Sequence, residues 1–135
     1  MQSHKITFEI KNNVINISKK TSNLIEDENT IFFLIGEINN IDKLLENHKI
    51  INLSKKIENI FNLFNLLEDR IIEFIEGNYT IITVNKLNKK CKIIRDLGSS
   101  YPVYYSFFED TLYVSTDLKS IIEKNKFLKL PDLVT

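Results

Sequence analysis

The chain has 135 residues, with 18 Lys and Arg balanced by 18 Asp and Glu and a hydrophobic fraction of 43%. The balanced charge argues against a nucleic-acid-binding surface, which needs excess cations to neutralise phosphates, and the apolar content is typical of a folded domain. A single cysteine excludes an internal disulfide, no apolar run approaches the ~20 residues of a membrane span, and no signal-peptide core follows Met1. We therefore expect one cytoplasmic domain over residues 1–135, with no membrane or nucleic-acid partner.

The first third of the chain has the patterns of β-strands. Apolar and polar residues alternate over residues 5–10 and 14–18 with a polar turn between them, which predicts a hairpin. Residues 19–29 are polar and are interpreted as a loop. Residues 30–35 form an apolar run, rich in β-branched and aromatic side chains, that ends at Gly36. This run predicts a strand covered on both faces.

The middle of the chain has helical spacing. Residues 40–46 predict one or two helical turns, and Ser54 is a candidate N-cap for a longer helix. Apolar residues then recur with the helical period to Gly77, with a break expected at Glu68 and Asp69. They are Ile57, Ile60, Phe61, Phe64, Leu67, Ile71, Ile72 and Ile75. The opposite face is predicted to be polar and carries Lys55, Lys56, Glu58, Asn59 and Asn62.

The last third predicts strands again. Residues 78–84, 91–95, 102–107 and 111–115 are expected to form a four-stranded meander, with a turn at Glu109 and Asp110. Asp117 is placed to cap a short helix through Glu123. Strands, helices, a meander and a final helix together predict an α+β layered domain with antiparallel sheets.

Few residues suggest chemistry by themselves. His4 and His48 lack neighbours at metal-ligand spacing, so we expect neither a metal nor a cofactor. Cys91 is flanked by Lys90 and Lys92, which would activate a nucleophilic thiol, but its place in a strand favours a structural thiol. Three carboxylate pairs are interpreted as solvated turns or caps rather than as acid–base pairs. These pairs are Glu26/Glu28, Glu68/Asp69 and Glu109/Asp110.

Three stretches, in order, resemble the N-terminal domain of asparagine synthetases. Residues 32–40, Phe-Phe-Leu-Ile-Gly-Glu-Ile-Asn-Asn, resemble a family strand that ends in Asn-Gly-Glu-Ile-Tyr-Asn. Residues 57–64 and 74–79 are similar to the family's Thr-Glu helix and its Leu-Asn-Gly-Met-Phe segment. Residues 95–105 resemble Arg-Asp-x-x-Gly-x-x-Pro-Leu-Tyr-Tyr, with the glycine one place early, and 111–122 follow the closing strand and helix.

The resemblance covers about residues 30–122 and implies a class II glutamine amidotransferase domain. Its fold is that of the Ntn hydrolases, here a reduced αββα sandwich of antiparallel sheets preceded by a hairpin and loop over residues 1–29. The positions that match the family, as structural or vestigial pocket residues, are Gly36, Glu37, Asn39, Glu58, Gly77, Arg95, Asp96, Gly98, Pro102 and Tyr104. The expected core contains Phe32 or Leu34, Ile60, Phe61, Phe64, Tyr79, Ile81 and Val114.

The departures from the family imply that glutaminase chemistry is lost. The family's nucleophile is an N-terminal cysteine exposed after Met removal, and here Gln follows Met1. The family's oxyanion-hole Asn falls on Ile35, which has no donor, and its substrate-binding Asp falls on Lys56. The Arg-rich segment that grips the glutamine carboxylate has no counterpart. We therefore expect no catalytic residue and no enzyme activity of the chain alone.

Degenerate versions of this domain occur in β-lactam synthetases and lasso-peptide macrolactam cyclases, whose C-terminal domain activates a carboxylate with ATP. No Ser-Gly-Gly-x-Asp-Ser loop for that chemistry is present. The expected function is an inactive scaffold or partner of an ATP-dependent amide-forming synthetase domain or subunit, with a peptide as further partner in natural-product biosynthesis.

Two alternatives stay open at the level of sequence. The first is a stand-alone protein-interaction module of the longin or profilin-like type, which carries a single sheet. The second is an active enzyme in which Glu37, Arg95, Asp96 and Tyr104 converge. Against the second, Arg95 and Asp96 are expected to brace a tight loop with Gly98 and Pro102.

Overall fold

The computed structural model describes residues 5–12, 14–18, 21–98 and 101–124, and their fold is α+β. The strands are β1 (Thr7–Lys11), β2 (Val14–Ile17), β3 (Leu24–Glu26), β4 (Thr30–Ile38), β5 (Gly77–Asn85), β6 (Cys91–Arg95), β7 (Tyr104–Phe108) and β8 (Thr111–Ser115). The helices are α1 (Ile41–Asn47), α2 (Lys56–Leu67), a 3-10 helix (Glu68–Glu73) and α3 (Leu118–Lys124).

The described strands form two antiparallel four-stranded sheets. One sheet has the order β2-β1-β8-β7 and the other has the order β3-β4-β5-β6. The chain divides into two compact units in the same way. The first unit takes its described residues from both ends of the chain, up to Thr21 and from Pro102 onward, and the second is the continuous segment Ser22–Tyr101.

The core of the second unit lies between α2 and the strands β4 and β5. The helical spacing of the apolar residues brings Ile60, Phe61, Leu63 and Phe64 of α2 into this core. The Phe32 ring of β4 lies 5.3 Å from that of Phe61 and 5.4 Å from that of Phe64, centroid to centroid. Burial of these rings holds the helix against the sheet.

Helix α2 ends at the predicted break. Glu68 has φ +51°, which no α-helical residue adopts, and a 3-10 helix follows. The prediction that Ile71, Ile72 and Ile75 all continue the apolar face is wrong for Ile72. Ile71 and Ile75 are buried, whereas Ile72 is 49% exposed. The 3-10 helix turns 120° per residue instead of 100°, so the helical phase of α2 is not maintained.

In the first unit, the pairing of β1 with β8 joins the two parts of the chain that form it. Phe8 lies opposite Val114 and both are buried. The Thr7 and Ser115 hydroxyls are 2.8 Å apart, and Ser115 Oγ also donates to the Ile6 carbonyl at 3.1 Å. Helix α3 begins after Asp117, whose Oδ1 accepts from the Lys119 amide at 3.2 Å. The predicted cap at Asp117 is therefore confirmed.

Two predictions about strands β3 and β4 are wrong. Residues 19–29 were expected to be a loop, but within them β3 pairs with β4. The Asp27 carboxylate closes the turn between them, accepting from the amides of Asn29 and Thr30 at 2.8 Å each. Strand β4 was expected to end at Gly36, but it continues to Ile38 because the ladder with β5 runs through the glycine.

Further corrections concern the later strands and the start of α2. Strands β5 to β8 are not one meander, since β5 and β6 belong to one sheet and β7 and β8 to the other. Strand β7 begins at Tyr104 rather than at residue 102. Ser54 does not cap α2, because the residue before the helix is Lys55 and no side chain caps it.

The expected core set is confirmed as a whole. Phe32, Leu34, Ile60, Phe61, Phe64, Tyr79, Ile81 and Val114 are all buried. Among the residues the structure describes, no helix is long and apolar enough to cross a membrane.

Candidate functional site

The ends of three neighbouring strands bring several of the family-matching residues together. Gly36 lies opposite Tyr79 and Glu37 opposite Asn78 in the β4–β5 ladder, while Arg95 lies opposite Thr80 in the β5–β6 ladder. The end of β4, the start of β5 and the end of β6 thus lie at the same end of the second sheet. We call this end of the sheet, with Gly36, Glu37, Gly77, Arg95 and Asp96, the strand-end site.

The two glycines of the site permit close contact between β4 and β5. Gly36 has φ +98° and Gly77 has φ +145°, both in the region that side-chain-bearing residues avoid. A Cβ on Gly36 would lie 2.1 Å from the Asn78 carbonyl oxygen, and one on Gly77 would lie 2.2 Å from that of Glu37. Both glycines are therefore required by the backbone geometry of the sheet.

Asp96 braces the loop that follows β6. Its Oδ1 accepts a hydrogen bond from the Tyr79 amide at 3.0 Å, and its Oδ2 accepts one from the Gly98 amide at 3.1 Å. The Asp96 amide donates to the Tyr79 carbonyl at 3.3 Å. Burial raises the pKa of the Tyr79 hydroxyl, and the Asp96 charge adds to this effect. The predicted bracing of this loop is confirmed for Asp96 with Gly98, whereas Arg95 and Pro102 make no side-chain hydrogen bond to it among the described residues. Tyr79 stays protonated at neutral pH.

An open groove of about 530 Å³ adjoins this end of the second sheet. Its walls include apolar residues of the 3-10 helix segment and polar residues of the strand ends. They are Ile72, Ile75, Glu76, Gly77, Tyr79, Arg95, Asp96, Leu97 and Gly98. A second cavity of about 260 Å³ lies near the opposite end of β4 and β5, with Lys90 and Lys92 among its lining residues.

Asn40 is a structural residue that the sequence analysis did not single out. Its side-chain amide donates to the Phe74 carbonyl at 2.8 Å, and its Oδ1 accepts from the Glu76 amide at 3.0 Å. The neighbouring Asn39, which the resemblance singled out, is exposed, and its hydrogen bond among the described residues runs from its backbone amide to the Glu76 carbonyl at 2.7 Å. Asn40 therefore ties the start of α1 to the segment before β5. In the sequence, only the adjacent pair Asn39-Asn40 could have pointed to this structural role of Asn40.

Asn59 is the second such residue. It was predicted to face solvent on α2, but it is buried, with 3% of its surface exposed. Its Oδ1 accepts from the Leu53 amide at 2.8 Å, and its Nδ2 donates to Asn52 Oδ1 and to the Leu53 carbonyl, both at 3.0 Å. These hydrogen bonds fix the segment before α2 in position. They substitute for the side-chain cap that the helix lacks.

Of the other family-matching residues, Gly98 is hydrogen-bonded to the strand-end site through Asp96, and the rest have no hydrogen bond to that site among the described residues. Glu58 lies in the first turn of α2. Gly98 is exposed in the loop that Asp96 braces. Pro102 and Tyr104 belong to the first unit. Of the four residues in the active-enzyme hypothesis, Glu37 lies near the end of β4 and Arg95 and Asp96 lie at the end of β6, with β5 between them.

The positions at which the family keeps glutaminase groups have no such chemistry here. Ile35 is 3% exposed and pairs with Thr80 inside the sheet. Lys56 is the exposed first residue of α2. The Ile35 side chain has no donor for an oxyanion, and the Lys56 side chain has no carboxylate for an ammonium group.

Cys91 has the character of a structural thiol. Burial raises the pKa of its thiol from 9.0 to about 11, so the flanking lysines do not activate it. His48 is also structural, since its Nδ1 lies 2.9 Å from the Leu44 carbonyl and its ring packs edge-on against Phe74. Within the described ranges no group of three or more His, Cys, Asp or Glu could hold a metal ion. His4 lies outside those ranges.

The interpretation of the carboxylate pairs as solvated turn or cap residues is wrong for Glu26, which is the last residue of β3, whereas Glu28 is exposed in the turn that follows. Glu26 forms an ion pair with Lys86 at 2.6 Å, and Asp69 forms one with Lys92 at 2.8 Å. Glu109 and Asp110 both have positive φ in the turn between β7 and β8. Glu109 and Asp110 are thus exposed turn residues, as predicted.

The fold is similar to that of a glutamine amidotransferase. The structure of the glutamine phosphoribosylpyrophosphate amidotransferase of B. subtilis, complexed with ADP and GMP, matches with a TM-score of 0.57 and 12% sequence identity. The match covers 87% of this chain but only 36% of that one, so this chain corresponds to about a third of the enzyme. No family model matches the chain, and no curated protein does. At this identity the likeness concerns the fold alone.

Proposed function

We propose that this chain is a catalytically inactive glutamine-amidotransferase-like domain. In this proposal it is related to the N-terminal domain of asparagine synthetases and acts as a scaffold or partner of an ATP-dependent amide-forming enzyme. The observation that carries the proposal is Ile35, buried and apolar at the strand position where the resemblance expects an oxyanion-hole Asn. The similarity in fold to a glutamine amidotransferase supports reading the position in this way.

The chemistry of glutamine hydrolysis explains why Ile35 is decisive. The tetrahedral intermediate carries a negative oxygen that needs hydrogen-bond donors directed at it, and loss of one donor lowers the rate by about 10²–10³-fold. The Ile35 side chain has no donor. Lys56, at the start of α2 where the family has an Asp, would repel the substrate's ammonium group.

The architecture in this proposal is the layered αββα arrangement of the Ntn hydrolases in a reduced form. The two antiparallel four-stranded sheets and the helix layer of the second unit are compatible with it. The single sheet of a longin or profilin-like module differs from these two sheets, so we do not propose that alternative.

A domain of this kind would act through contacts rather than through chemistry. The proposed partner activates a carboxylate with ATP, after which an amine attacks to form the amide. In this proposal the amide is formed on a peptide in natural-product biosynthesis. Asp96 and the glycines of the strand-end site would then be kept for their role in the sheet.

Glutamine hydrolysis tests the inactive part of the proposal. The purified full chain is incubated with glutamine, and glutamate release is measured beside the B. subtilis amidotransferase as the active control. We expect no release above the buffer blank. Release at a rate comparable to the control would contradict the proposal.

Affinity capture from the native host tests the partner. The tagged full chain is recovered and its partners are identified by mass spectrometry, with an ATP-dependent synthetase expected in stoichiometric amount. Amide formation by the recovered synthetase is then compared with and without the chain. Recovery of the chain without a synthetase would show that the scaffold role is wrong, whatever the glutaminase result.

A further inference from the structure

We propose that strand β7 pairs antiparallel with β7 of a second copy of the chain, about a two-fold axis at Ser106. Strand β7 is the last in the order β2-β1-β8-β7, and among the described strands it pairs only with β8. An edge strand has a row of backbone donors and acceptors directed away from its sheet, which a further strand can bind. This pairing does not depend on the proposed function.

The sequence of β7 lacks the features that usually prevent edge pairing. Tyr104–Phe108 has no charged residue and no proline, and its register with β8 is regular, without a bulge. Strand β6, at an edge of the other sheet, differs because Lys92 and Arg95 are both exposed on it. The edge strand β2 is also uncharged and without proline, but it has no aromatic residue, so β7 is the uncharged edge of the described sheets that carries exposed aromatic side chains.

Two exposed aromatic side chains lie on one face of β7. Tyr105 is 50% exposed and Phe107 is 66% exposed, and residues two apart in a strand point to the same side of the sheet. Ser106 between them is only 5% exposed, on the opposite face. Burying the two rings against a partner would remove apolar surface from water.

The partner that fits this edge is a second β7, because the strand is close to symmetric about its centre. Tyr104 and Tyr105 precede the small Ser106, and Phe107 and Phe108 follow it. In an antiparallel pair centred on Ser106, Tyr105 of each copy lies opposite Phe107 of the other. Aromatic pairs directly across two strands are favourable.

Charge also permits self-pairing. Strand β7 is neutral, and the whole chain has a formal net charge of zero, so two copies approach without long-range repulsion. A pairing in which both copies use the same strand is closed at two copies and does not propagate into a fibre. We therefore infer a weak, concentration-dependent dimer.

Sedimentation of the full chain tests the dimer. Wild type is expected to shift from the mass of one chain, 15.9 kDa, towards twice that mass as its concentration rises. Phe107→Lys and Tyr105→Glu, each placing one charge opposite an aromatic ring, are expected to weaken the dimer by about tenfold or more. The matched control Leu87→Lys, in the exposed turn between β5 and β6, is expected to leave it unchanged.

The double variant Tyr105→Glu with Phe107→Lys tests the register. In the proposed pair each Glu lies opposite a Lys of the other copy, so the dimer is expected to return and to weaken with added salt. Because both sites are exposed, all variants are expected to unfold at temperatures close to wild type. Hydrogen exchange at the β7 amides of wild type is expected to slow as concentration rises, which needs no variant.

Three results would overturn the proposal. If wild type stays monomeric at every concentration, β7 does not pair with a second copy, and a strand of another protein is the remaining partner for this edge. A dimer that survives Phe107→Lys and Tyr105→Glu would place the interface elsewhere. A double variant that stays monomeric, while both single variants are also monomeric, would reject the register about Ser106.

Discussion

Single polar side chains at buried or half-buried positions hold several segments of this protein together. The amide of Asn59 makes three hydrogen bonds to Asn52 and Leu53, and the carboxylate of Asp96 accepts two from backbone amides. Each of these groups satisfies backbone or side-chain partners that would otherwise lose their hydrogen bonds to water on folding. Such residues are costly to replace because the partner is left unsatisfied.

Asn59→Ala is expected to destabilise the protein by about 2–3 kcal/mol, since the Leu53 backbone loses both of its bonds to this side chain. Asn62→Ala, on the same helix but half-buried and without a side-chain bond among the described residues, serves as the control. It is expected to change stability by less than about 0.5 kcal/mol. Urea unfolding of the two variants measures the difference. Equal effects would mean that the Asn59 bonds contribute nothing.

Ser106 and Ser115 form a second matched pair. Both are buried, but the Ser106 hydroxyl has no hydrogen-bond partner among the described residues, whereas Ser115 Oγ bonds to Thr7, Ile6 and the Asp117 amide. We expect Ser106→Ala to raise the free energy of unfolding by about 1 kcal/mol and Ser115→Ala to lower it by about 2 kcal/mol. Thermal unfolding distinguishes them. A loss of stability in Ser106→Ala would show that its hydroxyl is bonded.

The Cys91 thiol is expected to be unreactive at neutral pH. Its folded pKa of about 11 exceeds the usual 9.0 because burial disfavours the thiolate. Its contribution to stability is therefore fully present below pH 9 and is lost as pH rises through 11. Alkylation by iodoacetamide, followed by mass spectrometry, should be slow at pH 7 and accelerate between pH 9 and 11. A rate at pH 7 equal to that of the unfolded chain would contradict this, and Cys91→Ser is the blank.

At the scale of elements, the ladder between β4 and β5 is the central feature of the second unit. It joins nine residue pairs, from Thr30 with Asn85 to Ile38 with Gly77. The two glycines near its end let the strands meet where a side chain would collide with a carbonyl oxygen. The strand-end site is therefore built by backbone geometry first and by side chains second.

Gly36→Ala is expected to destabilise the protein by about 3 kcal/mol or more. The new Cβ would meet the Asn78 carbonyl oxygen, the Tyr101 ring and the Tyr79 Cα, all within 3 Å, and φ +98° is strained for alanine. Gly98→Ala is the control, because Gly98 is exposed and its φ is not positive. Thermal unfolding should separate the two. A Gly36→Ala protein as stable as Gly98→Ala would mean that the close contact is absent.

At the scale of the whole molecule, the two units differ in how far apart their contacts lie along the chain. The second unit is one continuous segment, and its strands are joined to neighbours through short turns or through α1 and α2. The first unit joins both ends, and the Thr7–Ser115 contact spans 108 residues. Closing so long a loop costs more chain entropy than closing the loops of the second unit.

This difference predicts an order of folding. During refolding, amides of β4 and β5 are expected to become protected before those of β1 and β8, because local contacts form first. Pulse-labelling hydrogen exchange read by mass spectrometry measures the order. Protection of β1 and β8 together with, or ahead of, β4 and β5 would contradict it.

Periodicity in the sequence predicted most elements, because burial of one face leaves a pattern of period two or near 3.6. Strand β6 and strand β8 have the predicted bounds, and the expected core residues are buried. Strand β3 was missed because its three residues are too few to show a period. Asn59 was misassigned because a buried amide with three partners looks, in sequence, like any polar residue on a solvated face.

By itself, the sequence determined the α+β class, the break at Glu68, the cap at Asp117 and the contact of Asp96 with Gly98, since each depends on neighbours a few residues away or on a local period. Only the tertiary structure decided how β5 to β8 divide between two sheets, which strands lie at the sheet edges, and which polar residues are buried. Those outcomes depend on pairings between residues far apart in the chain. Local pattern has no information about them, because the same strand of alternating residues can pair with any compatible partner.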